Sequence, residues 1–169
     1  MRLLRNLSIK ILLIFISIVL VPYELRSTEN KQSPYGVKFG QKFNVSEHEH
    51  IRRRGNIRSV NLKTAARPDD TEELRAEICD HYGLQIVTWK SHIRSLSAAK
   101  LRLEEISEKL SNGFGKPLKK LSSRIWSSDD VHIIAKIRSK GKTYQNQIRY
   151  FGPNNKECVE KFLKVKRNL

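Results

Sequence analysis

Cysteine is scarce in this chain: Cys79 and Cys158 are the only two in 169 residues. With no CxxC pair and such a wide spacing, a thiolate metal site is not supported. No cysteine stands directly after the apolar N-terminal run, which argues against lipid attachment of the lipoprotein kind. Acidic side chains are also in short supply, 17 against 33 lysines and arginines. GxSxG, HExxH, the phosphate-binding P-loop and GxGxxG are all absent. No internal repeat is evident. These absences leave no catalytic or cofactor motif, so the expectation is a non-catalytic protein without a cofactor.

What is present begins at the N-terminus. Arg2, Arg5 and Lys10 precede an apolar run from Ile11 to Val21, closed by Pro22. A basic segment followed by a short apolar core is the pattern of an export signal. Ser27 suits the small-residue position before a cleavage point, whereas Leu25 does not. Two readings of residues 1–26 therefore stand: a cleaved signal peptide, or an uncleaved anchor through residues 1–23 held with its N-terminus in the cytoplasm. The first makes the protein periplasmic or secreted. The second ties it to the inner membrane. Residues 27–34 read as a linker and 35–169 as one α+β domain.

The net charge of +16 points to anionic partners. Losing residues 1–26 removes four basic residues and one acidic residue, so the remainder stays strongly basic. In the cytosol, nucleic acid would be the first partner to consider. Outside it, the candidates are an anionic envelope component, such as lipid headgroups or an acidic polymer, or an acidic protein. An even cysteine count in an exported chain favours a Cys79–Cys158 disulfide, the alternative being two buried thiols.

Along the chain, Tyr35–Gly40 alternates apolar and polar residues and predicts a short strand. Residues 41–56 show no clean period and read as a loop or weak helix. Ile57–Thr64 alternates as a strand does. Residues 71–82 fit a helix through Leu74, Ile78 and Tyr82, and equally a strand through Leu74, Ala76 and Ile78. Leu84–Lys90 is rich in β-branched and aromatic residues and predicts a strand. Leu96, Ala99, Leu103, Ile106 and Leu110 form one apolar helical stripe, with Ser95 or Ser97 as the N-cap and Gly113 as the terminator. Arg124–Trp126, Val131–Arg138 and Tyr144–Tyr150 predict strands, the last two joined as a hairpin. A helix at 155–166 closes the chain. The expected fold is α+β: an antiparallel sheet with one main amphipathic helix on a face and a short C-terminal helix.

The matching segments are Tyr35-Gly36-Val37-Lys38-Phe39-Gly40, Tyr82-Gly83-Leu84, Leu103–Leu110 and Gly113-Phe114-Gly115-Lys116-Pro117. In these the chain resembles small exported bacterial α/β proteins that open with an FGxxxG-type strand and carry a helix ending in a YGKP-like segment. More remotely it is similar to the SmpA/BamE type of outer-membrane assembly lipoprotein, from which it departs by lacking a lipidated cysteine. The resemblance implies a fold and a periplasmic setting. It implies no catalytic residue.

Four basic clusters are candidate anion sites, since arginine forks and lysines suit phosphate and carboxylate groups. Arg52, Arg53 and Arg54, with Arg58, form one. Lys136, Arg138, Lys140, Lys142 and Arg149 lie on the predicted hairpin, where period two places Lys136 and Arg138 on one face with His132. Lys116, Lys119, Lys120 and Arg124 form a third, and the tail from Lys161 to Arg167 a fourth. The bland alternative is a solvated surface that keeps the chain soluble. His48 and His50 would share a face of a strand and are weak metal candidates without a third ligand. Asp69, Asp70, Glu72 and Glu73 read as solvated turn residues. The leading expectation is a non-catalytic binding module with a basic surface. A nucleic-acid-binding protein is the alternative, favoured by charge and opposed by the export segment. A small hydrolase is third.

Overall fold

The computed structural model describes residues 34–43 and 49–160. The export segment 1–26, the linker up to residue 33, His48 and the basic tail after residue 160 lie outside the described residues. So does the second half of the predicted 155–166 helix, of which residues 155–160 are helical.

The described residues form one eight-stranded antiparallel sheet. Its strands are β1 (Glu49–Arg54), β2 (Ile57–Asn61), β3 (Thr71–Cys79) and β4 (Gly83–Ser91), then β5 (Leu118–Lys120), β6 (Ser123–Ser127), β7 (His132–Lys140) and β8 (Thr143–Phe151). The spatial order is β1-β2-β3-β4-β8-β7-β6-β5. Two four-strand meanders thus meet at the β4–β8 pair. The helix α1 (Leu96–Phe114) connects them, carrying the chain from the middle of the sheet to its far edge.

The α+β expectation holds, with the sheet dominating. The 71–82 ambiguity resolves as a strand. Leu74, Ala76 and Ile78 are buried on the face under the core, and Glu73, Arg75 and Glu77 point the other way. A helix would have left Ala76 off the apolar stripe. As a strand, the same residues pair on both sides, with β2 and with β4. The turn that follows ends at Gly83, whose φ of +65° is left-handed. A Cβ there would lie 2.4 Å from the Gly40 carbonyl oxygen, so glycine is required twice over.

α1 lies over β6, β7 and β8. Ala99, Leu103 and Ile106 are buried against Trp89, Trp126, Ile133, Ala135, Ile148 and Tyr150. Burying side chains such as Leu103 and Ile106 contributes about 2 kcal/mol each. Ser95 caps the start by accepting from the Ala98 N–H, and Glu104, Glu105 and Glu108 face water as the stripe requires. A buried polar clamp fixes the helix on the sheet: Asn146 of β8 donates its side-chain N–H to the Ala99 carbonyl at 2.9 Å.

Three expectations are corrected. Tyr35–Gly40 is not a strand: Pro34–Gly36 is a 3-10 turn, and Tyr35, Gly36 and Gly40 all have positive φ, which an extended chain cannot accommodate. Its apolar residues still pack on the core, Val37 buried and Tyr35, Phe39 and Phe43 partly so. Residues 49–54 are a strand rather than a loop or weak helix, and a bulge between His50 and Arg52 breaks the period that would have revealed it. The helix runs past Gly113 and ends at Gly115, with φ +73° and its N–H donating to the Ser111 carbonyl.

Cys79, at the end of β3, is disulfide-bonded to Cys158 in the C-terminal helix, and both are buried. The bond ties the last described helix to the sheet across 79 residues of chain. A loop of that length corresponds to about 4 kcal/mol of denatured-state entropy. Replacing both cysteines with serine, or reducing the bond, is expected to lower unfolding stability by about that amount in urea titration.

Candidate functional site

One helix covers one face of this sheet. α1 does not cover the other, open face, although at one end the C-terminal helix is tied through Cys158 to Cys79, a residue with the strand parity of Glu73, Arg75 and Glu77. Cross-strand register assigns the residues of that open face in rows. One row runs Lys90 (β4), Gln147 (β8), Lys136 (β7), Ser123 (β6) and Lys120 (β5). The next runs Thr88, Arg149, Ile134, Ile125 and Leu118 in the same strand order. Arg138 stands beside Gln145, and His132 opposite Phe151.

The charge on this face is uneven. Over β3 it is balanced: Arg75 lies between Glu73 at 3.5 Å and Glu77 at 3.6 Å, and Lys90 reaches across to Glu73. Over β5–β8 it is not. Here these four strands present Lys120, Lys136, Arg138, Lys140 and Arg149 and no aspartate or glutamate, while Lys119 and Arg124 share the helix face with Ala135. Lys120, Lys136, Arg138 and Arg149 form no ion pair among the described residues. Apolar and aromatic side chains lie between them. The Arg149 guanidinium stacks over Phe151, 4.8 Å from the ring centre, and His132 meets the same ring at 5.7 Å.

Arg149 is half-buried, and this has an electrostatic cost. Burial pushes its guanidinium below the ordinary arginine value; Arg75 and Arg138 add to the push, and Glu77 opposes it. A partly desolvated cation without an ion-paired carboxylate is stabilised by any anion that reaches it.

The structure sorts the remaining candidates by whether their charge is already used. Arg53 and Arg58 lie on the helix side of the sheet and share Asp80, at 3.0 and 3.1 Å. Arg52 and Arg54 are exposed on β1, four strands from β8, about 19 Å away at the usual strand spacing. Lys140 faces Glu72 at 3.4 Å, and Lys142 is exposed in the β7–β8 turn. Arg124 is structural: it is buried, bonded to the Glu104 carboxylate and to the Lys120 carbonyl. Asp70 is more than a solvated turn residue. It accepts from Arg94 at 2.8 Å and from two nitrogens of Arg102 at 3.0 Å, joining the β4–α1 connection to the helix. The side chain of His50 lies outside the described residues, as does His48, and no metal-holding cluster of His, Cys, Asp and Glu occurs among the described residues.

Lys90, which did not stand out in the sequence, joins Lys120 of the third basic cluster on the open face. Only the strand register brings them beside Lys136, and a heptapeptide window around either residue carries no sign of it.

Removing an unused charge should cost little, and removing a used one should cost more. Arg149→Met, which keeps the stem over Phe151, is expected to change stability by less than about 0.5 kcal/mol or to raise it. Arg124→Met removes the bond to the half-exposed Glu104 carboxylate and takes the side-chain donor from the Lys120 carbonyl, and is expected to lower stability by about 1 kcal/mol. Urea unfolding of the two variants makes the comparison. No protein-family model, curated protein or solved structure matches this chain.

Proposed function

We propose that this chain is an exported, non-catalytic binding module that holds an anionic component of the cell envelope on the open face of its sheet. The observation that carries the reading is the open face of β5–β8, where Lys120, Lys136, Arg138 and Arg149 form no ion pair among the described residues and no strand residue is acidic. The exposed apolar Leu118 and the part-buried Ile125, Ile134 and Phe151 lie among the charges and suit an amphipathic surface such as a lipid headgroup layer. The Cys79–Cys158 disulfide fits an oxidising compartment. The signal-like segment 1–26 supplies the route there, as the resemblance to small exported bacterial α/β proteins implies. No helix among the described residues is long and apolar enough to cross a membrane.

Co-sedimentation of the full chain with vesicles tests this. Binding to phosphatidylglycerol vesicles is expected to exceed binding to phosphatidylcholine vesicles and to fall steeply with salt, since exposed charges are screened over about 10 Å at 0.1 M. Charge reversal at Lys120, Lys136 and Arg138 is expected to weaken anionic-vesicle binding at least tenfold and leave neutral-vesicle binding unchanged. Reversal at Arg52 and Arg54 should weaken it less. Equal binding to both vesicle types would sink the reading. Tighter binding to a single-stranded oligonucleotide at the same salt would replace it with a nucleic-acid function, and tighter binding to an acidic peptide with a protein-partner one.

A further inference from the structure

On the opposite side of the sheet, between α1, the turn at 65–68 and Tyr35, lies a cavity of about 480 Å³. Its floor is apolar and rigid: Trp89, Ile148 and Tyr150 are almost fully buried sheet residues. Its inner wall is the helix flank of Ile106, Leu110 and Phe114. The volume falls in the range of small-molecule sites, which combine an apolar lining with a few placed polar groups.

The polar groups here sit at the rim. Arg102 lies 5.8 Å over the Trp89 ring, but its charge is used, by Asp70 and by Glu105 at 2.9 Å. The same bond neutralises Glu105, the one carboxylate lining the cavity. That leaves Arg67 and Lys109, both exposed and neither ion-paired among the described residues. The mouth is therefore net cationic and the interior apolar. Inside, the Tyr35 and Tyr150 rings meet edge to face at 6.2 Å. Burial raises both phenols above their ordinary value, so they stay neutral O–H groups and bring no negative charge into the cavity.

We infer that this cavity binds a small short-chain amphipathic anion, its apolar tail on Trp89 and Tyr150 and its carboxylate or phosphate head between Arg67 and Lys109. The open basic face plays no part in this, because the two sites lie on opposite sides of the sheet.

The test titrates the full chain with decanoate below its micellar concentration, following tryptophan fluorescence and calorimetric stoichiometry. Dihexanoyl phosphatidic acid, also monomeric, is the second probe. Saturable one-to-one binding of either supports the site: decanoate alone identifies a free carboxylate, the phosphatidic acid alone a lipid headgroup, and both together a site that reads charge and tail only. Decanol should bind more weakly than decanoate. Arg67→Glu with Lys109→Glu, two exposed positions that leave the core intact, should weaken the anions at least tenfold and decanol little. Leu110→Trp should fill the cavity and abolish binding. Absence of saturable binding by either probe, or equal affinity in the Arg67→Glu, Lys109→Glu variant, would overturn the inference.

Discussion

The pairing of β4 with β8 is the joint on which the molecule turns. Five residue pairs, from Ile86 opposite Phe151 to Lys90 opposite Gln147, hold together two halves that are otherwise local meanders. Each meander needs only short turns. The seam needs the chain to travel from Ser91 along α1 and back through three strands before β8 arrives. The contacts that make the seam worthwhile lie on one side of it: Trp89 opposite Ile148 and Val87 opposite Tyr150, the core residues that α1 covers. Helix and seam are thus one cooperative unit, with Asn146 bonded to the Ala99 carbonyl at its centre.

One long helix, α1, on a sheet of eight strands decides much of the rest. It can dry one face only, so the other must be compatible with solvent or with a partner. β3 meets that demand by self-neutralisation, Arg75 between two glutamates. On β5–β8 Lys120, Lys136, Arg138 and Arg149 remain unpaired among the described residues, Arg149 even at the expense of partial burial. Stability alone gives no reason for this difference, because alternating charge was within reach of the same strands. A ligand for the uncompensated half is a physical reason. The cavity under α1 arises from the same geometry on the other face, where the helix flank and the 65–68 turn stand apart over Trp89 and Tyr150.

What could be read in advance follows from the range of the interactions. The α1 stripe, the Ser95 cap and the β7–β8 hairpin are set by neighbours within a few residues, and the sequence carries them openly. The placement of Lys136 and Arg138 on one face is likewise a matter of period two. The β4–β8 seam and the strand order are set by residues some sixty positions apart and leave no local trace. The 34–40 segment misled because its alternation is real, but left-handed Tyr35, Gly36 and Gly40 turn those side chains onto the core without extending the chain. The candidate site was half legible for the same reason: Arg52, Arg53 and Arg54 are adjacent in sequence, yet strand geometry sends Arg53 to Asp80 and leaves its neighbours on the other face. Charge counted along a chain cannot distinguish a used arginine from a free one.

The central claim is that the acid-free half of the open face is the binding surface. Backbone amide shifts of the isotope-labelled protein, recorded as short-chain phosphatidylglycerol is added below its micellar concentration, test it residue by residue. The account predicts progressive shifts at Lys90, Lys120 and along β7 and β8, with β1 and β2 unmoved. Shifts confined to β1 and β2, or no saturable shift on β5–β8, would contradict it.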